Sequence, residues 1–157
     1  MLKTKLKIIV IFIMVVFVVF VYYQKPETET KVIFIAGGQS VSVSVEVADE
    51  PGEWETGLMF REGLPENHGM LFVFPDEKER RFWMKNTLIP LDMVFVSSNL
   101  TIIHIVENAQ PCKKDPCRIY GSNGNAQYVI EVNSGFCKKH NIQVIYNACF
   151  VVDGLNL

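Results

Sequence analysis

The sequence predicts a mainly-β (α+β) domain, a compact sandwich or barrel-like fold with two short helices, preceded by one N-terminal transmembrane helix. Strict alternation in Val41-Ser42-Val43-Ser44-Val45-Glu46-Val47 is the first observation, because a period of two puts one strand face in a core and the other in water. The second is the absence of a long βαβ rhythm: short apolar runs follow one another between Gly, Pro and Asn, which argues against a doubly wound sheet. The third is Ile8 to Val21, an unbroken apolar run behind Lys3, Lys5 and Lys7 and ahead of Tyr22 and Tyr23. Cationic flank, hydrocarbon span and interfacial aromatics come in that order in a membrane-inserted N-terminus.

Taken along the chain, residues 1–23 read as a signal-anchor, 24–30 as a polar tether and 31–157 as a single globular domain. A cleaved signal peptide is the competing reading, but the run ends in Val21-Tyr22-Tyr23-Gln24-Lys25-Pro26 without a small-x-small site. No cysteine stands near its end, which disfavours a lipoprotein. The three lysines hold the N-terminus in the cytoplasm, so the domain is expected outside it, single-pass on the inner membrane and facing the periplasm or exterior. With those lysines set aside, the remaining 12 basic residues face 17 acidic ones, a formal charge of −5. That balance excludes nucleic acid as an expected partner.

Within the domain, Gly37-Gly38 between Val32–Ile35 and Val41–Val47 predicts a hairpin. Asp49 to Gly57 has the punctuation of a brief helix, with Pro51 early, glutamates in the first turn and a glycine stop. Leu58-Met59-Phe60 and Gly69 to Phe74 are core runs separated by a loop, and Asp76 to Arg81 reads as a charged turn. Beyond it, Phe82, Met84 and Asn86 fall on one strand face and Arg81, Trp83 and Lys85 on the other. Leu91–Val96 and Leu100–Val106 form an expected hairpin, and Tyr128–Val132 another strand. A short helix capped by Asn133 or Ser134 runs to His140, and Ile142–Ile145 and Cys149–Val152 are the final strands.

Four cysteines in an exported domain suggest disulfides. Cys112 and Cys117 bound a proline-flanked loop, whose closure contributes roughly 2 kcal/mol in the chain-entropy model; Cys137 and Cys149 remain for a second pair. A metal site needs a second closely spaced pair, and there is no Cys-x-x-Cys, so no metal or cofactor is expected. Nucleophile-elbow, Walker and dinucleotide signatures are absent, and His68, His104 and His140 lack ligand spacing.

The chemistry-bearing stretch is Phe82-Trp83-Met84-Lys85-Asn86-Thr87-Leu88-Ile89-Pro90-Leu91-Asp92, in which polar groups interrupt an apolar run. A buried carboxylate needs a partner, and Lys85 across the Pro90 turn, or Arg61, is the expected one. Together with Gly57-Leu58-Met59-Phe60-Arg61, Leu64-Pro65, Gly69-Met70-Leu71-Phe72-Val73-Phe74-Pro75, Glu107-Asn108-Ala109, Tyr128-Val129-Ile130-Glu131-Val132-Asn133 and Gly135, this stretch closely resembles domain-of-unknown-function family 192. The resemblance covers about two thirds of the chain, from Val45 to about Ile145. It implies a compact mainly-β fold in an often-exported protein and supplies no reaction. Tyr146-Asn147-Ala148-Cys149 replaces the glycine-and-aspartate turn the family implies, and Cys137 an aliphatic residue; a Cys137–Cys149 bridge would account for both.

Two functions follow as expectations. In the first, Arg61, Trp83, Lys85, Asn86 and Asp92 line a cleft that binds a small polar ligand such as a saccharide or cell-envelope fragment. In the second, a hydrolase or transferase uses Asp92 as general base, with Lys85 or Arg61 stabilising developing negative charge. A third reading makes the Lys85 and Asp92 pair purely structural, and burial of Asp92 separates it from the other two.

Overall fold

A computed structural model describes residues 13–15, 30–36, 38–144 and 146–151. The expected first hairpin is present: β1 (Lys31–Ala36) pairs antiparallel with β2 (Gln39–Ala48), Ala36 opposite Gln39. After β2 comes α1 (Pro51–Thr56), opened by a reciprocal cap in which the Glu53 carboxylate accepts from the Glu50 amide. Gly57 closes it at φ +45, donating its N–H to the Glu53 carbonyl at 2.8 Å. The excursion through α1 and the following loop lets β3 (His68–Trp83) lie parallel to β2, with Ser44 opposite His68 and Ala48 opposite Phe72.

The sequence reading ended this strand at Pro75 and placed a charged turn at Asp76 to Arg81, whereas β3 continues through all of it. Phe72 and Phe82 show how: ten residues of straight strand would part them by roughly 33 Å, yet their rings meet edge-on at 5.1 Å. β3 therefore folds back on itself, and its register against β6 (Ile119–Asn133) shifts between Val73 and Lys78. Arg80 holds the bend. It is buried, donates Nε to the Ala126 carbonyl at 3.0 Å, pairs with Asp76, and lays its guanidinium 4.0 Å over the Phe74 ring. A charge run that reads as solvated turn is thus the pin of a bent strand.

Strands β4 (Leu91–Val96) and β5 (Ile102–Ala109) form the second expected hairpin. Among the described residues, seven strands make one sheet in the order β5-β4-β6-β3-β2-β1-β7, where β7 is Asn147–Val151. Its edges approach: Thr101 bridges to Asn147, and the Ile102 amide donates to the Tyr146 carbonyl at 2.9 Å. The sheet is rolled and barrel-like, so the two-sheet sandwich does not form. Of the expected strand at 142–145, residues 142–144 are not strand.

Both sheet faces are covered, which explains why all six residues of β4 are buried and the sequence there shows no alternation. Val32, Phe34, Val43, Leu71, Val94 and Ile130 pack inside the roll. Leu58, Phe72, Met84, Met93, Phe95 and Val129 pack outside it, beneath α1 and the folded-back arm of β3 and β6. α2 (Phe136–Lys139) plugs one end, placing Phe136 and Cys137 in the inner core.

The expected transmembrane helix and tether lie outside the described residues, apart from Ile13–Val15, which are helical, and Thr30, whose carbonyl accepts the Val45 amide at 2.8 Å. No helix among the described residues is long and apolar enough to cross a membrane.

Candidate functional site

Asp92 follows the strand period away from Leu91 and Met93 and enters the inner core, where it is 0% exposed. Its expected partner is not there. Oδ1 accepts the Asn108 amide at 2.8 Å and Oδ2 the Cys137 amide at 3.0 Å. The first amide is aimed inward because Asn108 takes a left-handed φ of +54 where the β4–β5 register slips. The second belongs to the buried first turn of α2, so Asp92 supplies the capping acceptor that Asn133 or Ser134 was expected to give; the N-cap residue itself is Gly135. Asn108 Oδ1 in turn accepts from Ser134 Oγ at 2.8 Å. Two backbone amides do the work assigned to a lysine, and no substrate reaches a carboxylate so enclosed.

Lys85 points elsewhere. Its Nζ lies 3.6 Å from Asp115 and 5.4 Å from the Trp83 ring centre. These residues share an open cleft of about 610 Å³ with Pro116, Cys117 and Ile119. Trp83 is 43% exposed on its wall, paired across the β3–β6 ladder with Ile119. The loop opposite is closed by the Cys112–Cys117 disulfide, its Cα atoms 5.5 Å apart. On its other side the same loop bounds a second cleft, of about 390 Å³, whose lining includes Lys113, Lys114 and Arg118.

Arg61 joins neither. Its guanidinium forms a two-pronged ion pair with Glu46, with Nη2 at 2.6 Å from Oε2, and that bond holds the Glu46 carboxyl below its usual range and raises the guanidinium. The pair stands in a third cleft, of about 300 Å³, between α1 and the outer sheet face. Asn86 takes a left-handed φ of +58 at the turn after β3, and its carbonyl accepts the Phe60 amide at 2.8 Å. Of the five residues predicted to line one cleft, only Trp83 and Lys85 meet.

Cys137, expected to bridge to Cys149, is a free thiol in the inner core. Burial first, then the Asp92 carboxylate beside it, pushes the thiol well above its ordinary range. The side chain of Cys149 lies outside the described residues.

Sequence reasoning missed Asp115, Pro116 and Ile119, because they reach Trp83 through a disulfide loop more than 30 positions away. The disulfide was the available signal, since a closed loop presents its residues as a fixed surface.

The fold and these clefts define a small rolled-sheet domain with open surface clefts, and among the described residues the predicted site residues do not assemble into one site. The model of the DUF192 family, described as uncharacterized ACR, matches residues 32–145, and the chain belongs to that family. Among solved structures it is similar to a protein from Sinorhizobium meliloti 1021 described as a candidate transcription regulator. That likeness has 34% identity and a TM-score of 0.73, over 80% of this chain and 97% of the other. It is also similar to a protein of unknown function from Novosphingobium aromaticivorans DSM 12444, with 28% identity and a TM-score of 0.71, over 76% of this chain and 83% of the other. Among curated proteins, none matches the chain.

Proposed function

We propose that the chain is a membrane-tethered, extracytoplasmic binding module that holds a small polar ligand, a saccharide or cell-envelope fragment, against Trp83, Lys85 and the disulfide loop. The observation that carries this reading is the half-exposed Trp83, an aromatic face left open beside the Lys85 and Asp115 ion pair on a loop closed by a disulfide. An indole flanked by donors and acceptors suits a ring that is apolar on its faces and hydroxylated at its edge. Lys113, Lys114 and Arg118 nearby favour ligands that also carry negative charge.

The hydrolase reading has less support, since its general base, Asp92, is enclosed with both oxygens committed. A transcriptional role, as the description of the Sinorhizobium relative would suggest, is opposed by the formal charge of −5 that 12 basic and 17 acidic residues leave beyond the leading lysines. Calorimetric titration of the detergent-solubilised full-length chain with neutral and acidic oligosaccharides tests the proposal. Saturable binding lost in Trp83→Ala and weakened in Lys85→Met is expected. Binding that survives Trp83→Ala overturns the assignment of this face.

A further inference from the structure

The loop from Cys112 to Cys117 carries three charges inside a ring closed by a disulfide, and the fold sorts them. Asp115 lines the Trp83 cleft, where its carboxylate faces Lys85 at 3.6 Å. Lys113 and Lys114 instead line the cleft of about 390 Å³ on the loop's other side, which Asp115 does not enter. Arg118, the first residue after the ring, joins them there. Among the described residues none of these three cations forms an ion pair, whereas Lys85, Arg61 and Arg80 each do.

Two further groups in this cleft suit an anion. The Arg118 guanidinium carbon stands 4.9 Å over the centre of the Tyr120 ring, so an aromatic face steadies the plane and the edge N–H donors remain for an oxyanion. Asn108, near the end of β5, has its side-chain oxygen taken twice, by Ser134 Oγ at 2.8 Å and by Gln110 Nε2 at 2.6 Å. Those bonds fix the amide, and the part of it still without a partner among the described residues is its NH2, a donor. Glu107 is the one carboxylate in the lining, so three cations against one acid leave a formal charge of +2 there. That excess stands out in a chain whose 15 basic residues are outnumbered by 17 acidic ones. Lysines scattered over a surface are solvated and select nothing, but these share a concave site with a guanidinium and an amide donor.

We propose that this second cleft is a binding site for a dianionic phosphate group, free or carried as a monoester, held by Lys113, Lys114, Arg118 and the Asn108 amide. Charge selects the dianion, since a phosphate monoester carries about −1.5 to −2 at neutral pH and matches the excess in the lining. Geometry favours phosphate, because a guanidinium edge takes two of its oxygens while the ammonium groups act on the others as point charges. The disulfide keeps both lysines on this side of the loop, which lowers the ordering cost of binding. The site is separate from the Trp83 face: the loop lies between them, and the two linings have Pro116 alone in common.

Phosphorus NMR on the full-length chain, solubilised in a detergent without phosphorus and titrated at about pH 8 with inorganic phosphate or glycerol phosphate, tests this. Saturable line broadening with a dissociation constant of about 1 mM is expected from a few exposed charge-assisted contacts. Dimethyl phosphate, a diester with a single charge, should bind roughly tenfold more weakly. Arg118→Gln should weaken phosphate binding about fivefold, and Lys113→Gln with Lys114→Gln about 20-fold. Lys138→Gln, which removes an exposed cation on α2, should leave it unchanged. Trp83→Ala should leave it unchanged too, so failure of this site and failure of the saccharide reading are told apart. Preference for glycerol phosphate over inorganic phosphate assigns the group to a larger molecule, and the reverse preference to free phosphate. The proposal is overturned by absence of saturable binding, by equal affinity for dimethyl phosphate, by an equal loss in Lys138→Gln or Trp83→Ala, or by binding that Arg118→Gln and the double lysine change leave intact.

Discussion

Replacing Asp92 by Asn tests whether this carboxylate is a clamp or a chemical group. The two amides it accepts come from Asn108 of β5 and Cys137 of α2, so the side chain on β4 ties three elements together. Asn keeps one acceptor oxygen and offers an NH2 group on the other side, where it confronts a backbone donor. The change removes one charge-assisted hydrogen bond, worth about 1.5–3 kcal/mol, and leaves a buried N–H unmatched at a further cost of about 1–3 kcal/mol. A loss of about 3–4 kcal/mol is expected, which for a domain of this size lowers Tm by roughly 10–15 °C. Lys85→Met is the matched control. Its ion pair with Asp115 is half-exposed and spans 3.6 Å, so it contributes at most about 1 kcal/mol. Thermal unfolding of both variants, followed by far-ultraviolet circular dichroism and tryptophan fluorescence, separates them. An Asp92→Asn melt within a few degrees of the parent, or an equal collapse in Lys85→Met, would refute the clamp.

Three further outcomes follow from the geometry. Gly69→Ala should destabilise the fold by about 2–3 kcal/mol, because a Cβ there would stand 2.5 Å from the Glu131 carbonyl, a backbone atom of the neighbouring strand; denaturant midpoints measure it, and an unchanged midpoint contradicts it. Glu131 has a raised carboxyl, about 8 against an ordinary 4.5, so its contribution is fully present below pH 4.5 and is lost as pH rises through 8. Glu131→Gln should therefore gain on the parent by on the order of 4 kcal/mol between pH 4.5 and pH 8.5 in denaturant titrations, whereas a pH-independent difference would mean the acid is not held neutral. Replacing Cys112 and Cys117 together by Ser should cost about 2 kcal/mol by the loop-entropy argument, and reductant should lower the Tm of the parent but not of the variant; a parent whose Tm ignores reductant counts against this.

The sequence by itself determined the local elements whose signals are local. Alternation in Val41 to Val47, the Gly37-Gly38 hairpin, the Pro51 start and Gly57 stop of α1, and the proline-bounded Cys112–Cys117 loop each depend on residues within a few positions, and each stands in the structure. The family, too, was legible from blocks of consecutive residues. Tertiary structure decided everything that depends on which strand lies beside which. Asp92 and Lys85 are close in sequence, yet the pleat sends Asp92 into the roll while Lys85 stays outside on the Trp83 cleft, and two amides 16 and 45 positions away become the partners. The charged run from Asp76 to Arg81 carries the composition of a turn, and the edge-on contact of Phe82 with Phe72 and Phe95 shows that it is a strand folded back over a second core. Glu131 in the run Tyr128 to Val132 was visible as a lone acid among apolar residues. Its burial was not, because that is a property of the neighbouring strands brought together around it, and no single segment of the chain records it.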